Sequence, residues 1–138
     1  MGLFQGVHQI NLRVKEMHRS VKWYEEVLGL YVKHDYGDTV VLSFHKDSMS
    51  EGQLIQTSVC LIQLAENEAL PDFAENGTYP VFTIASDKAE TCYNELEKLG
   101  VLVDGGKKGH FKFKDPDGNC LEAYLPGLYE KERFKHLR

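Results

Sequence analysis

From residue 8 the chain reads HQINLRV, and Ile10, Leu12 and Val14 alternate with Gln9, Asn11 and Arg13. A period of two predicts a half-buried strand. SVKWYEEVLGL then changes the period: Val21, Tyr24 and Leu28 share one side of a helix, and Gly29 is its stop. LYVKHDYGDTVVLSF predicts a hairpin turning at Tyr36-Gly37-Asp38. A polar loop over 46–53 precedes the strand TSVCLIQL, and ENEALPDFAENG forms a linker. The same order then returns. YPVFTIAS alternates, with Phe82 and Ile84 on one face and Tyr79, Val81 and Thr83 on the other. DKAETCYNELEKLG carries Ala89, Cys92, Tyr93, Leu96 and Leu99 on one stripe, begins with a capping-box-like Asp87 and Glu90, and stops at Gly100. Strands over about 101–104, 109–114 and 120–125 complete the unit.

Strand, helix, Leu-Gly and three strands thus occur twice, which predicts a duplicated βαβββ module. Each module buries one sheet face under its helix, leaving the other faces free to curl together. The expected fold is α+β: two βαβββ modules forming an open eight-stranded cup, an incomplete barrel with helices outside. Module one spans about 5–65, the linker 66–77, module two 78–125, and a C-terminal helix 127–137. A concave inner surface suits a small ligand. The polar stripe Gln9, Asn11 and Arg13 either lines that surface or is a solvated face.

The remaining bounds are set by composition. A chain of 138 residues fits one domain. A formal net charge of −5 argues against a nucleic-acid surface. No apolar run approaches the roughly 20 residues that span a bilayer, and the amino terminus does not read as a secretory signal. Cys60, Cys92 and Cys120 make no CxxC pair and no even set, as expected of free thiols in a reducing cytoplasm. The histidines form neither HxxxH nor HExxH.

The two modules, the helix SVKWYEEVLGL and the turn and strand DPDGNCLE resemble the vicinal oxygen chelate superfamily, which includes glyoxalase I, extradiol dioxygenases and the fosfomycin- and bleomycin-resistance proteins. The resemblance covers roughly residues 5 to 125, and LRVKEMHRSVKWYEEVLGL is most similar to glyoxalase I. It implies a divalent metal (Ni, Zn, Mn or Fe) held in the cup, with ligand positions falling on Gln9, Gln63, Tyr79 and Glu122. His8, one residue out of phase with Gln9, should face the helices. Two amides, one phenol and one carboxylate make a weak site for a dication, because neutral amides offset little of its dehydration and tyrosine ligates mainly as phenolate. The same resemblance places Arg13, Lys108 and Asn67 where glyoxalase I holds glutathione.

If Glu122 faces the cup, the apolar Phe111 and Phe113 put His110 and Lys112 there too. A five-residue connection centred on Asp117 sets Lys112 across from Glu122 and His110 across from Tyr124. Lys112 then either holds the Glu122 carboxylate in place of a metal or extends outward at the rim. Asn11, Arg13, Asn67, Tyr79, Lys108, His110, Lys112 and Tyr124 are the expected ligand contacts, and Phe44 either joins the wall or packs in the core. The reading is a homodimeric, cytoplasmic binding protein for a small anionic organic molecule, without cofactor. The alternatives are a metal-dependent glyoxalase I-like lyase or isomerase, and metal-free catalysis with Glu122 as base beside Tyr79 and Lys112. No nucleic-acid or membrane partner is expected.

Overall fold

A computed structural model describes residues 2–46, 57–70, 77–103 and 106–138. The chain divides into two compact units, Met1–Pro71 and Asp72–Arg138. The loop expected over 46–53 lies almost wholly outside the described residues, as does much of the linker.

The first unit runs β1 (Gln9–Val14), α1 (Met17–Glu26), β2 (Tyr31–Asp35), β3 (Thr39–Ser43) and β4 (Ser58–Gln63), with sheet order β1-β4-β3-β2. β1 and β4 are parallel, joined through the helix as parallel neighbours require. Leu12 and Val14 of β1 are buried while Asn11 and Arg13 are exposed, as the alternation predicts. On α1 the buried residues are Met17, Ser20 and Tyr24, with Val21 and Leu28 half-buried. The apolar pattern pointed to Tyr24 but not to Ser20, which is fully buried. Gly29 takes φ 73° and the Leu30 N–H returns to the Tyr24 carbonyl at 3.1 Å, closing the helix as Gly29 suggested. The β2–β3 turn falls at the expected place, with Gly37 at φ 89° and its N–H bonded to Asp35 Oδ1 at 2.9 Å. Phe44, just past β3, is exposed.

The second unit repeats the plan with a shorter sheet: β5 (Val81–Thr83), a 3-10 turn (Ser86–Lys88), α2 (Ala89–Lys98), β6 (His110–Lys114) and β7 (Cys120–Tyr124), ordered β5-β7-β6. β5 is parallel to β7. The strand expected at 101–104 reduces to one bridge, Leu102 to Phe113, flanked by Lys114 N–H to Val101 O (3.0 Å) and Val103 N–H to Lys112 O (2.9 Å). That bridge occupies the edge position β2 holds in the first unit. The eight strands expected are therefore seven and a bridge among the described residues. The expected capping box is also absent. Ala85 and Lys88 hold the two cap positions without side-chain bonds, because the 3-10 turn leads into α2 and supplies Lys88 N–H to Ala85 O at 2.9 Å. Of the predicted α2 stripe, Ala89 and Leu96 are buried, Cys92 and Tyr93 half-buried and Leu99 exposed. Tyr93 meets Phe111 edge-on, ring centres 5.3 Å apart, which seats the helix on the apolar sheet face.

The DPDGN turn sets the β6–β7 register. Asp115 Oδ1 accepts from the backbone N–H groups of Asp117 (3.0 Å) and Asn119 (2.8 Å), and Asn119 Nδ2 donates to Asp115 Oδ2 at 2.8 Å. Gly118 supplies the positive φ, 88°. The resulting pairs are Lys112 with Glu122 and His110 with Tyr124, the register read from the sequence.

After β7 the chain turns at Pro126-Gly127, buries Leu128 completely, and ends in a 3-10 helix, Glu132–Leu137, not the α-helix expected over 127–137. Three residues per turn stack Phe134 and Leu137 on one line, and both are buried. Arg138 closes the segment, its Nε donating to Leu128 O at 2.7 Å and its Nη2 to Lys131 O at 2.9 Å.

Candidate functional site

The face of the second sheet opposite α2 carries the polar residues of β6 and β7. With Phe111, Phe113, Leu121 and Ala123 buried on the apolar side, His110, Lys112, Glu122 and Tyr124 share the other. There the first three border a cavity of about 380 Å³, with Tyr79, Lys107, His110, Lys112, Glu122 and Tyr129 in its wall. Glu122 lies on the central strand, between Val81 of β5 and Lys112 of β6. Its side chain keeps only 16% of its exposure, against 34% for His110.

The partner of the Glu122 carboxylate is not the residue directly opposite. His110 Nε2 lies 2.9 Å from Glu122 Oε2, a diagonal contact across the ladder. Lys112 instead extends over the Tyr79 ring, Nζ 5.2 Å from its centre. Hydrogen bonding to the Tyr79 hydroxyl, and the charge that phenol carries once ionised, push the Lys112 ammonium above its ordinary range, while the Glu122 charge adds least. The expected Lys112–Glu122 pair is thus replaced by two others. A flat imidazole two residues along reaches the carboxylate with a directed N–H, and the longer lysine stem reaches the more distant phenol.

The other face of His110 completes a chain. Its Nδ1 stands 3.0 Å from the Tyr129 hydroxyl, and its ring lies edge-on to Tyr124 with centres 5.2 Å apart. Tyr129 stacks at 25° on Tyr124 and carries Lys107 Nζ 5.4 Å from its ring centre. Lys107 and Tyr129 were not singled out from the sequence. Lys107 was legible: Lys108 and Gly109 make a two-residue turn, so Lys107 pairs with His110 through bonds of 2.9 and 3.0 Å and belongs to the same face. Tyr129 was not, because its position depends on the long-range docking of the C-terminal segment. Lys108, expected as a contact, sits exposed on the turn.

In the first unit the expected residues separate. Gln9 Nε2 donates to Asn11 Oδ1 at 2.9 Å. Gln9 pairs with Ser58 and Gln63 with Val14, so the two glutamines fall on opposite faces of the β1–β4 ladder. Gln9 borders a cavity of about 400 Å³ with His34, Tyr36 and Cys60, and Gln63 borders a different one with Lys15, Glu66 and Glu68. His8, expected toward the helices, also borders the Gln9 cavity, since it precedes β1 and escapes its alternation. Burial pushes the Cys60 thiol up, with the Gln9 hydrogen bond opposing. Arg13 forms an ion pair with Glu68 at 3.4 Å, and Asn67 is exposed in the turn that follows β4.

The donor set therefore does not fit a divalent ion. Glu122 is engaged by an imidazole N–H, Tyr79 faces an ammonium that would repel a dication, and Gln9 and Gln63 point away from each other. Among the described residues no group of three His, Cys, Asp or Glu side chains is placed to hold a metal.

Residues 6–123 match the model of the Glyoxalase/Bleomycin resistance protein/Dioxygenase superfamily, and the chain belongs to that family. Among its relatives, "Glutathione transferase FosA" from Serratia marcescens is 27% identical over 129 residues, covering 91% of this chain and 84% of that protein. The fold is shared with the fosfomycin resistance protein FosX of Listeria monocytogenes, with TM-score 0.61, 15% identity and 89% and 94% of the two chains covered. An integron cassette protein from the mobile metagenome of V. Pseudocholerae gives TM-score 0.61 at 23% identity, covering 91% and 98%. Among the described residues no helix is long and apolar enough to cross a membrane.

Proposed function

We propose that the cavity of the second module binds a small organic anion and does so without a resident divalent metal. The observation that carries this reading is the charge around the cavity. Lys107 and Lys112 hold their ammonium groups over tyrosine rings at its wall, while Glu122, the one carboxylate there among the described residues, is already satisfied by His110. Two cations against one engaged anion favour a carboxylate or phosphonate, and the tyrosine rings supply apolar surface for its organic part. Arg13, which the sequence offered for the same purpose, is compensated by Glu68 and is assigned no part. Glu122 serves here to orient His110. The protein would act as a cytoplasmic homodimer, which light scattering at micromolar concentration tests.

The test of the binding reading is a thermal-shift screen with chelator present. Binding raises the melting temperature by mass action, so small carboxylates and phosphonates should raise it increasingly with concentration. A screen in which only cationic or neutral compounds register overturns the reading.

One observation favours a second reading. The likeness to the Serratia protein, named as a glutathione transferase, extends over most of the chain. A metal-dependent transferase, or a glyoxalase I-like lyase, would copurify with stoichiometric Ni, Zn, Mn or Fe. The transferase would consume fosfomycin only when glutathione is supplied.

A further inference from the structure

The hydrogen-bond polarity of the chain Glu122–His110–Tyr129 dictates what the cavity asks of its ligand. An ionised carboxylate only accepts, so the His110 nitrogen 2.9 Å from Glu122 carries the hydrogen. In the neutral imidazole the other nitrogen is then an acceptor, and the Tyr129 hydroxyl 3.0 Å away donates to it. A phenol has a single hydrogen. With that hydrogen held by His110, the Tyr129 oxygen presents only a lone pair to the cavity it borders. A ligand group placed against Tyr129 must therefore be a donor. It must also be a neutral donor, since Lys107 lies over the Tyr129 ring and Lys112 borders the same space, and an ammonium would meet both.

We propose that Tyr129 is a specificity-determining acceptor and that the ligand is a hydroxy acid, a small organic anion carrying a hydroxyl that donates to Tyr129. This rests on the anion-binding reading above and adds the second group the ligand must carry. It also sets apart amino acids, whose ammonium the lysines disfavour, and anions whose only other polar groups are acceptors.

The experiment is calorimetric titration at pH 8, above the ordinary imidazole range near 6.5, with three pairs of probes: glycolate and methoxyacetate, 3-hydroxybenzoate and 3-methoxybenzoate, 4-hydroxybenzoate and 4-methoxybenzoate. Each pair keeps the carboxylate and exchanges the donor for a methyl ether. In wild type at least one hydroxy acid should bind about fivefold or more tighter than its ether, the worth of one net hydrogen bond. In Tyr129→Phe, which keeps the ring and its stacking on Tyr124, that ratio should fall to about one. Equal binding within every pair, or a preference that survives Tyr129→Phe, overturns the assignment of Tyr129 while leaving anion binding intact. If none of the six binds, the anion-binding reading itself fails and this inference with it.

Discussion

Replacing the partners of the Glu122 carboxylate one at a time and together separates the pairing found here from the one that strand register alone suggests. The perturbations are Glu122→Met, His110→Met and the double variant, each unfolded in urea at pH 8. The contact is 2.9 Å long and its acceptor is charged and only 16% exposed. Hydrogen bonds to charged groups contribute about 1.5–3 kcal/mol net. With one-third of the imidazole open to water, the coupling belongs at the low end, about 1.5 kcal/mol. For a chain of 138 residues, unfolding entropy near 2.1 cal/mol/K per residue converts this to about 5 °C in melting temperature. The double variant should be more stable than the sum of the single losses by that amount. The loss of edge contacts between His110 and Tyr124 cancels in the cycle. A parallel cycle with Lys112→Met and Glu122→Met should show the smaller coupling, because Lys112 engages Tyr79 and the Glu122 charge acts on it least. If the lysine cycle is coupled and the histidine cycle is not, the reassignment is wrong.

Three further outcomes follow from the packing. Gly109→Ala would bring a Cβ to 2.5 Å from Leu128 Cδ1 and 3.2 Å from Cδ2. Because Leu128 is fully buried and cannot swing out, a loss of about 1–3 kcal/mol in urea unfolding is expected, and an unchanged midpoint would contradict it. Arg138→Ala removes donors to the Leu128 and Lys131 carbonyls. It should cost about 1–2 kcal/mol and speed amide exchange around Tyr129; exchange no faster than in wild type would contradict it. Burial alone raises the Cys92 thiol above its ordinary value of 9.0. A raised acid favours the protonated form in the folded state, so its contribution is complete below pH 9.0 and is lost as pH rises through the folded value. Cys92 alkylation in native protein should therefore begin at higher pH than in the unfolded chain, and equal profiles would contradict this.

The duplicated module was legible because its signals are local. Alternation in HQINLRV and YPVFTIAS, the stops Gly29 and Gly100, and the DPDGN turn each act over a few residues, and the β6–β7 register follows from turn length and pleat. Register told which residues share a face but not which would bond. Lys112 and Glu122 are opposite, yet the directed imidazole of His110 takes the carboxylate and the Tyr79 phenol takes the lysine. That choice depends on side-chain reach, to which alternation is blind. The strand at 101–104 was overestimated for a related reason: Val101, Leu102 and Val103 have strand propensity, but among the described residues only the Leu102–Phe113 bridge to β6 forms. The C-terminal segment had charges arranged for an α-helix, yet it docks as a 3-10 helix with Phe134 and Leu137 buried and the Gly109 N–H bonded to Leu137 O. Tyr129 came with that docking, so the acceptor of the candidate site lay outside what local pattern could reveal.

Anion binding in the second module depends most directly on the two lysines at the cavity wall. The measurement is calorimetric titration of chelator-treated protein with the tightest-binding of the six carboxylates above, comparing wild type with Lys107→Met/Lys112→Met in the same buffer at two salt concentrations. Binding by chelated wild type that weakens at higher salt and is lost in the double variant is the predicted result. Binding that requires added divalent metal, or that persists undiminished without the two lysines, contradicts the account.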